Sequence, residues 1–231
     1  MRGLLIVLVV LAIALIVGDR VAVGMAQNEI ARQIAADYKL PEQPKVTIGG
    51  IPFLTQALDG TYADIGIRIG DWSDPDISVR DLDVKLTNVS APLDDVINKR
   101  TEKLTAETAT ATARVPYDTV QRYAPAGVES ISYSPEGLRV SGTFTVAGIP
   151  VPATVFVTVA LADNGIVVTP TSIQPAAGGP TLSLAALSES LTFTIPLEKL
   201  PLGARLTSLE PASDGLHVTA VAHTVRFSDL S

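Results

Sequence analysis

The stretch LLIVLVVLAIALIV, residues 4–17, decides how the chain is organised, because every one of its residues is apolar. Arg2 precedes it and Gly18-Asp19-Arg20 follows it. As a helix, the uncharged residues from Gly3 to Gly18 span about 24 Å, against about 30 Å of hydrocarbon in a bilayer. The composition therefore predicts a membrane-directing segment over residues 1–20.

The length of this apolar run is typical of a cleaved signal peptide, but the small residues of a cleavage site do not follow it. Asp19 and Arg20 come next, and the best candidate, Ala22-Val23-Gly24, lies inside the following helical pattern. We therefore favour an uncleaved anchor, with Arg2 in the cytoplasm and the rest of the chain outside. The predicted location is the cell envelope, with the protein tethered to the plasma membrane or, if the segment is removed, secreted.

Residues 21–39 carry a second pattern, with apolar side chains at spacings of three and four and polar ones between them. The apolar positions are Val23, Ala26, Ile30, Ile34 and Tyr38. Leu40-Pro41 ends the pattern, because proline disfavours helical geometry in the residue before it. The sequence predicts an amphipathic helix at the start of a single domain over residues 21–231.

After Pro41 the sequence alternates between apolar and polar residues, as half-buried strands do. The alternation of Ile77 and Val79 resumes one residue out of phase at Leu82, which predicts a β-bulge. Glu136-Gly137 and Asp214-Gly215 lie between alternating runs and predict tight hairpins. At least nine such runs indicate an α+β fold: a long N-terminal amphipathic helix wrapped by a highly curved, mainly antiparallel sheet, with few short helices.

The run Thr105–Val115 has small side chains on one face, with Ala109, Ala111 and Ala113 at alternate positions. Such a face allows a helix to pack closely, or it leaves room for a ligand. We favour close packing, because protein interiors rarely keep empty space.

Composition and charge exclude several classes of function. The net charge is −7, no basic cluster occurs and cysteine is absent, which argues against a nucleic-acid partner and against a thiolate metal site. His217 and His223 are about 20 Å apart along a strand, too far to share a metal ion. No catalytic motif is present, so we predict a protein that is not an enzyme and uses no cofactor.

Two stretches resemble a known family. Gly49-Gly-Ile-Pro-Phe-Leu-Thr-Gln, followed by Gly60 and Tyr62, is similar to a signature of the LmeA-like family of actinobacterial envelope proteins, with Ile51 where that family often has Phe. The ending resembles the family too, from Ile195 to Leu209 and from Asp214 to Val218. The resemblance implies a phospholipid-binding domain, similar in fold to the tubular lipid-binding (TULIP) superfamily, at the periplasmic face of the plasma membrane. It also implies a role in the assembly of lipomannan or of another envelope glycolipid.

Together these observations predict binding or transfer of phospholipid or glycolipid acyl chains, without catalysis. The alternative is a membrane-tethered scaffold for envelope enzymes, with a filled core and no lipid. We expect acyl chains to lie between the first helix and inward strand residues, near an apolar segment that begins at Ile51. The predicted lipid-binding residues are Ile30, Ile34, Tyr38, Ile51, Phe53, Leu54, Ile65, Ile67, Phe144, Val155 and Val157.

Overall fold

The structure is a computed structural model that describes residues 2–73, 78–98, 100, 103–146, 149–162, 165–175, 192–196 and 200–230. Within these ranges the α-helices are α1 (Arg2–Asp37), α2 (Phe53–Asp59), α3 (Leu93–Ile97) and α4 (Tyr117–Arg122). The strands are β1 (Lys45–Ile48), β2 (Thr61–Ser73), β3 (Ser78–Ser90), β4 (Thr105–Val115), β5 (Val128–Ser134), β6 (Gly137–Val146), β7 (Ile149–Ala162), β8 (Gly165–Pro175), β9 (Phe193–Pro196), β10 (Arg205–Ala212) and β11 (Gly215–Arg226). Single 3₁₀ turns occur at Pro201–Gly203 and Phe227–Leu230.

The apolar run and the amphipathic pattern form one continuous helix, α1, about 54 Å long at 1.5 Å per residue. It ends at Asp37, three residues before Leu40-Pro41, where the sequence predicts a stop. Residues 4–17 are exposed throughout, whereas Val23 and Ala31 are buried. The helix is therefore apolar and bare in its first half and packed against the protein in its second.

The first sheet, which we call sheet A, has the strand order β1-β2-β3-β4-β11-β10, and every pair is antiparallel. The predicted bulge is confirmed: the register shifts between Arg80 and Asp83, and Asp81 has a φ of 51°. Ile77, which begins that pattern in the sequence, lies outside the described residues. Because bulges increase local twist, this irregularity bends the long strands of sheet A.

The second sheet, sheet B, is an antiparallel meander in the order β5-β6-β7-β8-β9. The predicted hairpin at Gly137 joins β5 to β6, and the one at Gly215 joins β10 to β11 in sheet A. Both glycines have positive φ, 129° and 144°, which L side chains rarely adopt. The α+β class is confirmed: a long N-terminal helix precedes antiparallel sheets that do not close into a barrel.

Two clusters of buried residues occupy the interior. In the helix-side core, α1 and α2 pack on sheet A; its buried members are Val23, Ala31, Val46, Ile48, Phe53, Tyr62, Ile65, Leu86, Val89, Ala106, Ala109, Ala222 and Val225. In the inter-sheet core, sheet B faces the other end of sheet A; its buried members are Leu138, Val140, Phe144, Ala153, Val155, Val157, Val168 and Leu216. The main contacts of α1 are with β1 and α2, so the helix lies on one part of the sheet.

The signature segment that starts at Gly49 forms the turn that carries α2. The Gln56 side-chain amide donates to the Gly49 carbonyl oxygen at 3.1 Å, and its oxygen accepts from the Ala63 amide at 3.1 Å. Phe53 packs against Tyr62, with ring centroids 6.2 Å apart. These contacts give the signature residues a structural role, which is to fix α2 between β1 and β2.

Candidate lipid-binding site

A cavity of about 390 Å³ lies between sheet A and sheet B. Sheet B contributes Val128, Ile131, Leu138, Val140, Phe144, Val155, Val157, Val159, Ile166 and Val168. Sheet A contributes Val79, Ala111, Ala113, Val115, Leu206, Leu209, Leu216, Val218 and Ala220. The remaining lining comes from α4 and nearby segments: Thr119, Val120, Tyr123, Ala124, Pro125 and Leu200.

The lining is apolar almost throughout. Among the described residues none of the side chains that face the cavity is charged, and the polar ones are Thr119 and Tyr123. Thr119 is 1 % exposed, and its hydroxyl oxygen accepts a hydrogen bond from the Arg122 guanidinium at 3.5 Å. A surface of this chemistry favours a hydrocarbon guest, because a polar or charged group would lose its water without gaining partners.

The small side chains of β4 account for the space on the sheet A side. Ala109, Ala111 and Ala113 share one face of the strand, because side chains alternate along it. Ala109 is buried in the helix-side core, whereas Ala111 and Ala113 line the cavity. The alanine face is therefore closely packed at one part of the strand and borders open space at another.

The neighbouring strand β11 repeats this arrangement. Ala220 pairs with Ala111 and Val218 pairs with Ala113, and all four residues line the cavity. Two residues further along the strand, Ala222 pairs with Ala109 in the helix-side core. The small side chains of these two adjacent strands thus form the floor of the cavity, and the larger side chains of sheet B lie opposite them.

The sheet B wall comes from alternate residues of β6 and β7. Val155 is fully buried, and Val157 and Phe144 are 4 % and 5 % exposed. Val155 lies opposite Val140 and Val157 lies opposite Leu138 in the antiparallel register. Cross-strand pairs of this kind stabilise neighbouring strands, so these bulky side chains form a continuous apolar wall.

Helix α4 is fastened to the far hairpin of sheet A by one side chain. The Tyr117 hydroxyl donates to the Ala212 carbonyl oxygen at 2.7 Å and lies 3.3 Å from the Gly215 carbonyl oxygen. Burial raises the pKa of Tyr117 above its ordinary value, so the hydroxyl stays protonated and remains a donor. This bond links the segment that enters sheet B to the hairpin that closes sheet A.

A cluster of charged side chains lies on the outer face of sheet A. Arg114 pairs with Asp81 and, at 3.1 Å, with Asp214, whose other oxygen is 3.0 Å from His217. The hydrogen bond from His217, with the Arg114 guanidinium nearby, lowers the pKa of Asp214 below its usual range. Since Val115 and Leu216, the adjacent residues, line the cavity, this cluster points away from it.

The two histidines have separate partners. His217 contacts Asp214, and His223 lies 3.5 Å from the Thr108 hydroxyl. Within the part of the chain that the structure describes, no group of three His, Asp or Glu side chains is placed to hold a metal ion.

Of the residues that the sequence suggests for lipid binding, the structure brings three together at the cavity: Phe144, Val155 and Val157. Five others belong to the helix-side core or pack against it: Ile30, Ile34, Phe53, Ile65 and Ile67. The remaining three are exposed, at 56 %, 82 % and 41 %: Tyr38, Ile51 and Leu54. The expected site thus combines parts of two different surfaces.

Several lining residues are missing from that expectation, chiefly Ala111 and Ala113 of β4, Ala220 of β11 and Val120 of α4. The alanine alternation was the available signal for the floor. Nothing in the sequence separates Val120 from an ordinary core residue, because its position depends on how α4 packs between the sheets.

Neither the curated proteins nor the solved structures contain a match to the chain. The LmeA-like phospholipid-binding family does match, over residues 17–221, which is well over half of the sequence. The match begins at the end of the apolar run and includes the strands of both sheets that line the cavity. The chain therefore belongs to the LmeA-like phospholipid-binding family.

Proposed function

We propose that the protein holds acyl chains of a phospholipid or glycolipid in the cavity between sheets A and B, at the outer face of the plasma membrane. The observation that carries the proposal is the cavity of about 390 Å³ with its uncharged, apolar lining. Membership of a phospholipid-binding family supports the class of ligand. The binding is non-catalytic, and it serves envelope glycolipid assembly of the lipomannan type.

The affinity comes from burying hydrocarbon. Each methylene removed from water contributes about 0.8 kcal/mol, so about ten of them supply roughly 8 kcal/mol before the cost of ordering the chain. This suffices for useful binding without a specific polar contact. Because the described lining carries no charge, the cavity selects for a chain and leaves the headgroup outside.

Helix α1 supports the membrane location. It is long and apolar enough to cross a bilayer, and residues 4–17 are exposed on all sides. A helix that is apolar all round is suited to lipid surroundings. With Arg2 on the cytoplasmic side, the cavity lies on the outer side, next to the leaflet from which a lipid would be taken.

The experiment compares lipid content between two variants of β4. Ala113 faces the cavity, whereas Thr112 is exposed on the opposite face of the same strand. The full chain, Ala113→Phe and Thr112→Phe are purified in the same detergent and examined by native mass spectrometry with lipid extraction. We expect retained phospholipid in the full chain and in Thr112→Phe, and loss of it in Ala113→Phe.

Thr112→Phe controls for lipid that adheres to α1, because both variants keep that helix. Equal lipid content in the two variants, with Ala113→Phe still folded, would contradict the proposal. That result would favour the alternative of a membrane-tethered scaffold for envelope enzymes.

A further inference from the structure

Helix α2 exposes apolar side chains, although the exposed face of a helix is usually polar. Ile51, just before the helix, is 82 % exposed, Leu58 is 81 % exposed and Leu54 is 41 % exposed. Leu54 and Leu58 are four residues apart and share one face. The adjacent face, about 100° round the helix, carries Phe53 and Ala57, which pack in the helix-side core. The outer face of this short helix is therefore apolar and has no partner among the residues that the structure describes.

A hydrogen bond at the start of α2 helps to fix the position of this face along α1. The Leu54 amide donates to the Asp19 side-chain oxygen at 2.8 Å. Asp19 is 5 % exposed although it belongs to the otherwise bare part of α1, and its carboxylate is also paired with Arg20. Helix α2 therefore covers the one acidic group in the first 28 residues of the chain.

The exposed apolar surface of α1 continues past this contact. After Arg20, Val21 and Met25 are 57 % and 69 % exposed, and the first exposed polar side chains that follow are Asn28 and Glu29. From residue 4 to residue 25 a helix rises about 33 Å, close to the roughly 30 Å of hydrocarbon in a bilayer. Arg20, which is partly exposed, can extend its guanidinium toward the lipid headgroups.

With this boundary, Asp19 and the α2 residue that it holds lie within the outer edge of the bilayer. We propose that the outer face of α2, formed by Ile51, Leu54 and Leu58, inserts into the outer leaflet beside α1. Amphipathic elements that lie in this zone bury their apolar face about 5–10 Å into the boundary between headgroups and acyl chains. The inference rests on α1 spanning the membrane, as in the proposed function, but not on the cavity holding lipid.

The absence of cysteine in the chain allows single labels to test this placement. Three variants of the full chain are labelled with an environment-sensitive fluorophore: Leu58→Cys on α2, Leu11→Cys on the apolar run and Tyr133→Cys on sheet B. All three native side chains are at least 42 % exposed, so a label should leave the fold intact. The proteins are reconstituted into vesicles of phosphatidylcholine and phosphatidylglycerol.

Two quenchers report the surroundings of each label. Iodide, present on both sides of the membrane so that orientation is irrelevant, reports water; a doxyl-labelled phospholipid reports lipid. We expect iodide quenching at position 58 to be about fivefold weaker than at position 133, with strong quenching by the doxyl lipid, as a label in the interfacial zone requires. Position 11 should resemble position 58.

The remaining outcomes separate the two claims. If position 11 lies in lipid but position 58 is quenched by iodide as strongly as position 133, the insertion of α2 is wrong and the tether stands. If position 11 is also open to iodide, the tether and the insertion are both wrong. Protection from iodide at position 58 without quenching by the doxyl lipid means that protein covers α2, which also overturns the inference.

Discussion

The helix-side core and the inter-sheet core share two strands and yet differ in how they are closed. On β4 and β11, Ala109 and Ala222 are buried beneath the helices, whereas Ala111 and Ala220 border open space. The same small side chains therefore give close packing where a helix rests on the sheet and a cavity where a second sheet arches over it. Residue type alone does not determine whether a cavity forms. The element that lies opposite the strand determines it.

The largest difference between the two cores is expected from a buried charge. Val225 is 1 % exposed in the helix-side core, and Val225→Asp should lower the free energy of unfolding by at least about 3 kcal/mol, because its carboxylate has no partner there. Val157 borders the cavity, whose volume leaves room for the carboxylate of Val157→Asp together with water when no lipid is bound, so the loss should be smaller. Thermal unfolding of the full chain in detergent measures both.

Lipid content gives the second readout of this pair. Val157→Asp should lose bound lipid while it remains folded. If Val157→Asp unfolds as readily as Val225→Asp, the inter-sheet core is as tightly packed as the other one, and the contrast between them fails.

A smaller effect is expected from added bulk on β4. Ala109→Phe places a ring in the helix-side core and should destabilise the protein by about 1–3 kcal/mol, the usual range for overpacking. Ala113→Phe points into the cavity and should cost less than about 1 kcal/mol, since space is available. Equal melting temperatures for the two variants would show that the strand is equally confined along its length.

The link between the sheets should contribute about 1 kcal/mol. Tyr117→Phe removes the donor that the Ala212 carbonyl accepts at 2.7 Å, and a typical hydrogen bond adds about 0.5–1.5 kcal/mol to stability. Tyr133→Phe is the matched control, because that tyrosine is 42 % exposed. A shift in melting temperature no larger than that of the control would mean that the bond does not hold the two sheets together.

The smallest effect concerns pH and the outer face of sheet A. The lowered pKa of Asp214 means that its pairing stabilises the fold above the unfolded-state pKa of about 3.9 and is lost as pH falls through the lower folded-state value. Asp214→Asn should therefore melt slightly earlier at pH 6 and lose less stability than the native chain below about pH 4. If the melting temperature of Asp214→Asn followed the native pH profile, the pairing of Asp214 would not stabilise the fold.

Much of the fold could be predicted from local patterns. The bulge near Asp81 and the hairpins at Gly137 and Gly215 have signals in a few adjacent residues, so the sequence is sufficient for them. The confirmed family also appears in short stretches, such as the one that begins at Gly49. These features depend on period, glycine and turn chemistry, which act over short distances along the chain.

The cavity depends on contacts between distant residues, which local patterns do not reveal. Phe144 and Ile65 have the same appearance in the sequence, an apolar residue at an inward strand position, but one borders the cavity and the other contacts the helix-side core. Their difference arises because α1 and α2 pack on one part of sheet A, whereas sheet B faces the other part. No property of either residue's neighbours in sequence reveals which element will lie above it.

The continuity of α1 has a mechanical consequence. Because Val23 belongs both to this helix and to the helix-side core, no flexible linker separates the apolar run from the folded part. In the proposed tethered form, the helix is a rigid connection rather than a flexible one, so the cavity keeps one height and one orientation above the bilayer. Cleavage after Ala22-Val23-Gly24 would release the protein, but it would also remove Val23 from the helix-side core.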